Sequence, residues 1–160
     1  MIQLPEDTIE ALNDPETVKV LTTTQRDGSP HGAVKNSLAA LNENTLAYLE
    51  FFELSRTYNN MLHHFWDKRM VSIVVHNARK NINYQIKGLP ERLLIEGDVW
   101  QHFLGDIWKV LPEANPAGVW LITPLEIIDQ SYPAMLEEME KRRANYSLWW
   151  SYLGEHSLEE

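Results

Sequence analysis

The stretch TVKVLTTTQRDGSPHGAVKNSLAAL, residues 17–41, reads as two strands around a tight turn. Thr17 to Thr24 alternate and are rich in β-branched side chains, which suit a pleated, half-buried surface. Asp27-Gly28 supplies the positive φ of a hairpin, and Pro30 restarts an extended segment. A second strand is expected from His31 to Leu41. Its alternation puts Val34, Asn36 and Leu38 on one face and Lys35 and Ser37 on the other.

Upstream, Leu4 to Asn13 predicts a short helix. Pro5 suits its first turn, Glu6 and Asp7 suit the positive end of its dipole, and Ile9 and Leu12 share a face. Downstream, Asn42-Glu43-Asn44 is a second turn, and Thr45 to Phe52 is a third strand. The period then changes. Tyr58, Met61, Leu62 and Phe65 recur at helical spacing behind Ser55, which stands in N-cap position.

Strand patterns return at Met70 to His76, Asn81 to Lys87 and Arg92 to Val99. Gly88-Leu89-Pro90-Glu91 separates the last two as a hairpin or a bulge. Val99 to Val110 carries Val99, Trp100, Phe103, Leu104 and Ile107 at the spacing of an amphipathic helix. Gly118 to Asp129 is a last strand, where Pro124 implies an edge or a bulge. Pro133 to Leu153 is helical, with Met135, Met139, Tyr146, Trp149, Trp150 and Leu153 roughly on one face. The pattern predicts an α+β, mainly β protein: a six- to seven-stranded antiparallel barrel with flanking helices.

At 160 residues the chain is sized for one domain with a real core. Residues 1–130 are expected to form the barrel and residues 131–160 a helical extension of the same domain. No run of eighteen apolar residues occurs, so no membrane-spanning segment is expected. The acidic start, MIQLPEDTIEAL, lacks the layout of a secretory signal. With no cysteine there are no disulfides, thiolate metal sites or cysteine nucleophile, and a cytoplasmic location is expected. A net charge of -9 argues against a general nucleic-acid binder.

Several short stretches could carry chemistry. Ser55, Arg56 and Thr57 open a helix directly after a strand. The free backbone N–H groups, two hydroxyls and a guanidinium there would suit a phosphate, although a plain cap with a solvated arginine is the commoner use of such a start. Val34, Lys35, Asn36 and Ser37 could meet the polar edge of a ring, or form an ordinary solvated strand face. Gln85 and Lys87 point to one side of their strand, where Lys87 could bring charge to a phosphate or simply face solvent. His63 and His64 are adjacent and about 100° apart on a helix, a poor metal pair, and no metal site is expected. Neither a nucleophile elbow nor a glycine-rich phosphate loop is present.

The order of these pieces resembles the pyridoxamine 5′-phosphate oxidase-related, FMN-binding split β-barrel family. The resemblance rests on Thr23, Asp27, Gly28, Pro30 and His31, then Ser55, Arg56, Thr57 and Asn60, then Val71 to Val75, then Tyr84 to Gly88. It covers about residues 4 to 130. It implies a homodimer with FMN in a groove between two barrels. By similarity, Ser55, Arg56 and Thr57 would hold the phosphate with help from Lys87, and Asn60 would steady that loop. Val34, Lys35, Asn36 and Ser37 would lie along the isoalloxazine, with Gln85 also at the cofactor. The Trp149-Trp150 tail would cover the flavin across the dimer.

Members that oxidise pyridoxamine phosphate carry an arginine-rich C-terminal segment. Here Ser147 to His156 lacks it, and Lys141, Arg142 and Arg143 face different ways on a helix. The resemblance therefore implies a flavoprotein oxidoreductase other than pyridoxamine phosphate oxidase proper, passing electrons from a reduced donor such as a nicotinamide to a small acceptor. The alternatives are a non-catalytic FMN-binding electron carrier or sensor, and a haem-binding relative with His63, His64 or His76 as axial ligand.

Overall fold

A computed structural model describes residues 2–156 of the chain, so Met1 and residues 157–160 of the expected domain ranges lie outside the described residues. The chain divides into two compact units, one ending at Ile128 and one beginning at Asp129.

The first unit is built on α1 (Glu6–Asn13), β1 (Val18–Thr24), β2 (Pro30–Val34), β3 (Ala39–Asn42) and β4 (Thr45–Glu50). Then follow α2 (Arg56–Trp66), β5 (Val71–Asn77), β6 (Ile82–Leu94), α3 (Asp98–Val110) and β7 (Gly118–Asp129). The strands make one seven-stranded antiparallel sheet in the order β2-β1-β5-β6-β7-β4-β3. Its two edge strands, β2 and β3, are consecutive in sequence. Their connection curls the sheet round: the Lys35 N–H donates to the Lys19 carbonyl of β1 at 2.9 Å. Two residues later the Ser37 hydroxyl accepts the Leu49 N–H of β4 at 3.0 Å.

That connection corrects the expected second strand, His31 to Leu41. Lys35 to Leu38 is a β-turn, closed by the Leu38 N–H on the Lys35 carbonyl at 3.0 Å. Asn36 and Ser37 are its central residues, and both are good turn formers. The expected alternation of faces therefore stops at Val34. The second correction concerns Gly88 to Glu91, which neither turns nor breaks the chain. β6 runs straight through them as one 13-residue strand. Residues 95–97 end it, so the expected strand to Val99 stops at Leu94, and Asp98 and Val99 open α3.

The interior is filled by alternate residues of these strands, among them Leu21, Leu46, Tyr48, Ile73, Val75, Ile86, Trp120 and Ile122. Met61 and Leu12 bring α2 and α1 onto the same cluster. β4 is buried on both faces, because Ala47 and Leu49 point outward against Phe103 of α3 and Val119 of β7. That second cluster is what seats α3 beside β4. α1 is anchored at its C-terminal end, where the buried Lys19 ammonium donates to the Leu12 carbonyl at 3.1 Å. A cation there complements the helix dipole, and burial pushes the Lys19 pKa down.

The second unit contains α4 (Tyr132–His156). Glu137 pairs with Lys141 at 2.6 Å, and Glu138 pairs with Arg142, each one turn on. Trp150 meets Tyr146 and Trp149 edge to face, at ring separations of 5.8 and 5.6 Å. Trp149 and Trp150 are both exposed, at successive positions about 100° apart round the helix. Among the described residues, no helix is long and apolar enough to cross a membrane.

Candidate functional site

A cleft of about 640 Å³ opens where the β2–β3 connection, the end of β4 and one face of α3 converge. Val34, Lys35, Asn36, Ser37 and Ala39 form one wall. Leu49, Glu50, Phe51 and Phe52 form the second, as β4 ends and the chain turns toward α2. His102, Phe103, Asp106 and Ile107, spaced to share one face of α3, form the third. A smaller recess of about 330 Å³ adjoins it, sharing Asn36, Ser37, Ala39, His102 and Phe103.

The walls are mainly apolar, with polar groups at a few fixed points, the usual character of a small-molecule site. Two of those points are charged and shielded from water. Lys35 Nζ lies 3.3 and 3.4 Å from the two carboxylate oxygens of Glu50, whose own side chain is nearly inaccessible. The Tyr48 hydroxyl donates to Glu50 Oε2 at 3.1 Å. Residues two apart on a strand share a face, so Tyr48 and Glu50 rise together toward the cleft end of the barrel. Lys35 Nζ also sits 4.8 Å from the centre of the Tyr48 ring. Burial, and next the Glu50 charge, push the Tyr48 pKa well above its ordinary value, so its hydroxyl stays a proton donor.

Of the residues expected at a cofactor, Val34, Lys35, Asn36 and Ser37 line this cleft together. Ser55, Arg56, Thr57, Asn60, Gln85 and Lys87 do not. Ser55 caps α2, its Oγ accepting the Tyr58 N–H at 3.0 Å. Arg56 is exposed in the first turn of that helix and has no ion-pair partner among the described residues. It stands four positions on from Phe52 of the cleft wall, roughly 14 Å of chain at most. Leu54 between them is held at φ 66°, a left-handed conformation unusual for leucine, and its carbonyl accepts the Asn59 side-chain amide at 3.1 Å.

The remaining expected residues are engaged elsewhere. Thr57 Oγ1 lies 3.3 Å from His31 Nε2, and Asn60 donates to Thr23 Oγ1 at 2.9 Å. Gln85 donates to the Ser72 hydroxyl at 2.8 Å, and Lys87 pairs with Glu126 at 2.8 Å. Of the histidines considered for haem, His64 is buried and uses both nitrogens, with the Thr24 N–H at 2.9 Å and the Arg69 carbonyl at 3.2 Å. His63 accepts from Arg26 Nε at 2.8 Å, and His76 is exposed on β5. None of the three lines the cleft. Among the described residues, no cluster of three or more metal-ligating side chains occurs.

Glu50, His102 and Asp106 were not expected here. Glu50 is the one acid inside the apolar run TLAYLEFF expected as a strand, and that was the signal available. His102 and Asp106 lie one turn apart, 3.5 Å between ring nitrogen and carboxylate, on a helix whose pattern reads only as amphipathic.

No family model and no curated protein matches the chain. Solved structures do. A candidate pyridoxamine 5′-phosphate oxidase from Listeria innocua matches with TM-score 0.60 at 21% identity, over 78% of this chain and 97% of the other. An FMN-binding protein from Syntrophomonas wolfei matches with TM-score 0.60 at 15% identity, over 78% and 87%. HutZ, a haem storage protein from Vibrio cholerae, matches with TM-score 0.53 at 12% identity, over 80% and 95%. In fold, the chain is a pyridoxamine 5′-phosphate oxidase-like split β-barrel.

Proposed function

We propose that the chain binds FMN in the cleft and serves as a flavin-dependent oxidoreductase, taking electrons from a reduced donor such as a nicotinamide. The observation that carries this reading is the cleft itself. Leu49, Phe51, Phe52, Phe103 and Ile107 offer an apolar slot, and Lys35, Asn36 and Ser37 offer polar contacts along one wall. A flat aromatic ring with one polar edge needs this combination. Arg56 is the cation available to its phosphate, exposed beside the free N–H groups of the α2 N-terminus. Thr57 and Asn60 support the position of that helix start rather than contact the anion. When bound, the flavin would supply the redox chemistry, and the protein would orient it and tune its electron affinity.

A homodimer belongs to this reading. Val34 and Phe52, 59% and 72% exposed at the cleft wall, are apolar surface that a second copy would cover. The cysteine-free composition suits a reducing, cytoplasmic compartment.

One observation favours a second reading. His102 lines the cleft with the Asp106 carboxylate 3.5 Å from one ring nitrogen, and a carboxylate beside an imidazole is a common companion of a metal-binding histidine. Haem with His102 as axial ligand is therefore the alternative. An absorption spectrum of the purified protein after equilibrium dialysis with FMN or haem separates the two. Retained flavin bands near ~450 nm support FMN. A Soret band that disappears in His102→Ala supports haem, and retention of neither removes both readings.

A further inference from the structure

Glu50 is a buried acid where the pattern of its strand calls for an apolar residue. It is 2% exposed, at the end of a strand otherwise packed on both faces. Its carboxylate holds Lys35 through both oxygens and accepts the Tyr48 hydroxyl. Stability is a weak reason for such an arrangement. A buried ion pair is often matched or bettered by well-packed apolar residues of the same volume. The pair also lies in the cleft wall, and the 14% of the Lys35 side chain left accessible adjoins that space. An ammonium has three protons, and Glu50 engages it from one side only.

We propose that Lys35 is the cation that contacts the electron-accepting edge of the bound ring, and that Glu50 is the positioning residue that aims Lys35 and partly cancels its charge. This rests on the FMN reading above. Lys35 and Glu50 are shielded from water, and a shielded charge acts on a nearby ring far more strongly than one across solvent. Electrons added to the ring make it more negative. Lys35 favours that change and Glu50 opposes it, so the two residues set the potential in opposite directions. The Tyr48 ring and hydroxyl hold both groups in place from below. A merely structural pair would not produce opposite signs.

The test is an anaerobic dithionite titration of the FMN-loaded protein against a reference dye, with dithionite supplying the two electrons. Lys35→Met is expected to raise the ratio of oxidised to reduced flavin about tenfold at a fixed potential, a fall of about 30 mV for a two-electron couple. Glu50→Gln is expected to move it about as far the other way. Lys35→Arg, which keeps the charge, is expected to stay within about threefold of the parent protein. If Lys35→Met does not fold, Lys35→Gln takes its place. Shifts of the same sign, or none beyond about twofold, overturn the inference while leaving FMN binding intact. Failure of the unaltered protein to retain FMN overturns the functional reading and this inference with it.

Discussion

Asn60 of α2 donates its side-chain amide to the hydroxyl of Thr23 in β1 at 2.9 Å, and both residues are almost wholly buried. Thr57, one turn earlier, lies against His31 of β2. Two motifs that stand far apart in sequence thus meet as the joint that fixes α2 on the first hairpin. Replacing Asn60 by Ala leaves the Thr23 hydroxyl buried without its donor, a loss of about 1–3 kcal/mol. Urea unfolding is expected to show that loss. FMN affinity of the folded variant is expected to change little, and a large drop in affinity with unchanged stability would place Asn60 at the ligand instead.

Arg56 is expected to behave in the opposite way. It is exposed and without an ion-pair partner among the described residues, so Arg56→Ala should alter stability by less than about 0.5 kcal/mol. A charge-assisted bond to phosphate contributes about 1.5–3 kcal/mol, so FMN affinity should fall roughly 10- to 100-fold. Equilibrium dialysis measures the affinity, and a thermal melt serves as the control. Unchanged affinity would remove Arg56 from the phosphate site.

Most of the barrel was legible because its strands announce themselves through β-branched alternation and a clear Asp-Gly hairpin. Gly28 does take a positive φ of 85°. The expected six to seven strands include the seven observed, while two assignments among them differ from the structure. Two strands, β2 and β3, stand where one was expected, since Lys35-Asn36-Ser37-Leu38 turns; the Asn-Ser turn signal is present, but the apolar alternation around it masks it. Residues 82–94 are one strand, since Gly88 and Pro90 sit inside it. Of the residues that line the candidate cleft, Val34 to Ser37 stood out in the sequence. Glu50, His102 and Asp106 did not, because they reach the cleft only through the register of β4 and the docking of α3, both tertiary facts.

Gly88 has a reason of its own to stand inside a strand. A Cβ there would lie 2.7 Å from Ile122 Cγ2 and 2.8 Å from the Thr123 carbonyl of β7. The glycine permits close approach of the two strands rather than a turn. Gly88→Ala is expected to cost about 1–3 kcal/mol through overpacking, read as a lowered urea midpoint. Stability equal to that of the parent would mean that β6 and β7 are not packed this closely.

The Lys35–Glu50 pair makes a prediction that needs no ligand. Glu50→Ala strands the Lys35 ammonium in a largely buried position, at a cost of about 3–5 kcal/mol. The double change Lys35→Met with Glu50→Leu removes both charges and restores apolar volume, so it should recover most of that loss. A double-mutant cycle on unfolding free energies measures the coupling. Additive losses would mean that the two groups do not depend on each other.

The pH dependence of folding should carry the mark of Asp14. Its carboxylate accepts the Lys80 ammonium at 2.7 Å and the Glu16 N–H at 2.8 Å, tying the residues after α1 to the β5–β6 connection. Lys80, and next the Glu16 N–H, hold the Asp14 pKa below its ordinary 3.8. A lowered carboxyl pKa contributes stability that is present above the unfolded value and lost as pH falls through the folded one. The same contact raises the Lys80 pKa above 10.5, so its share is present below that value and lost as pH rises through the raised one. Stability of the parent minus that of Asp14→Asn should therefore be flat from about pH 5 to 10 and shrink on both sides. Both side chains reach solvent, so salt should reduce the plateau itself. Chemical unfolding across that range measures the difference. A difference as large at pH 2.5 as at neutrality would assign it to the shape of the Asp14 side chain and not to its charge.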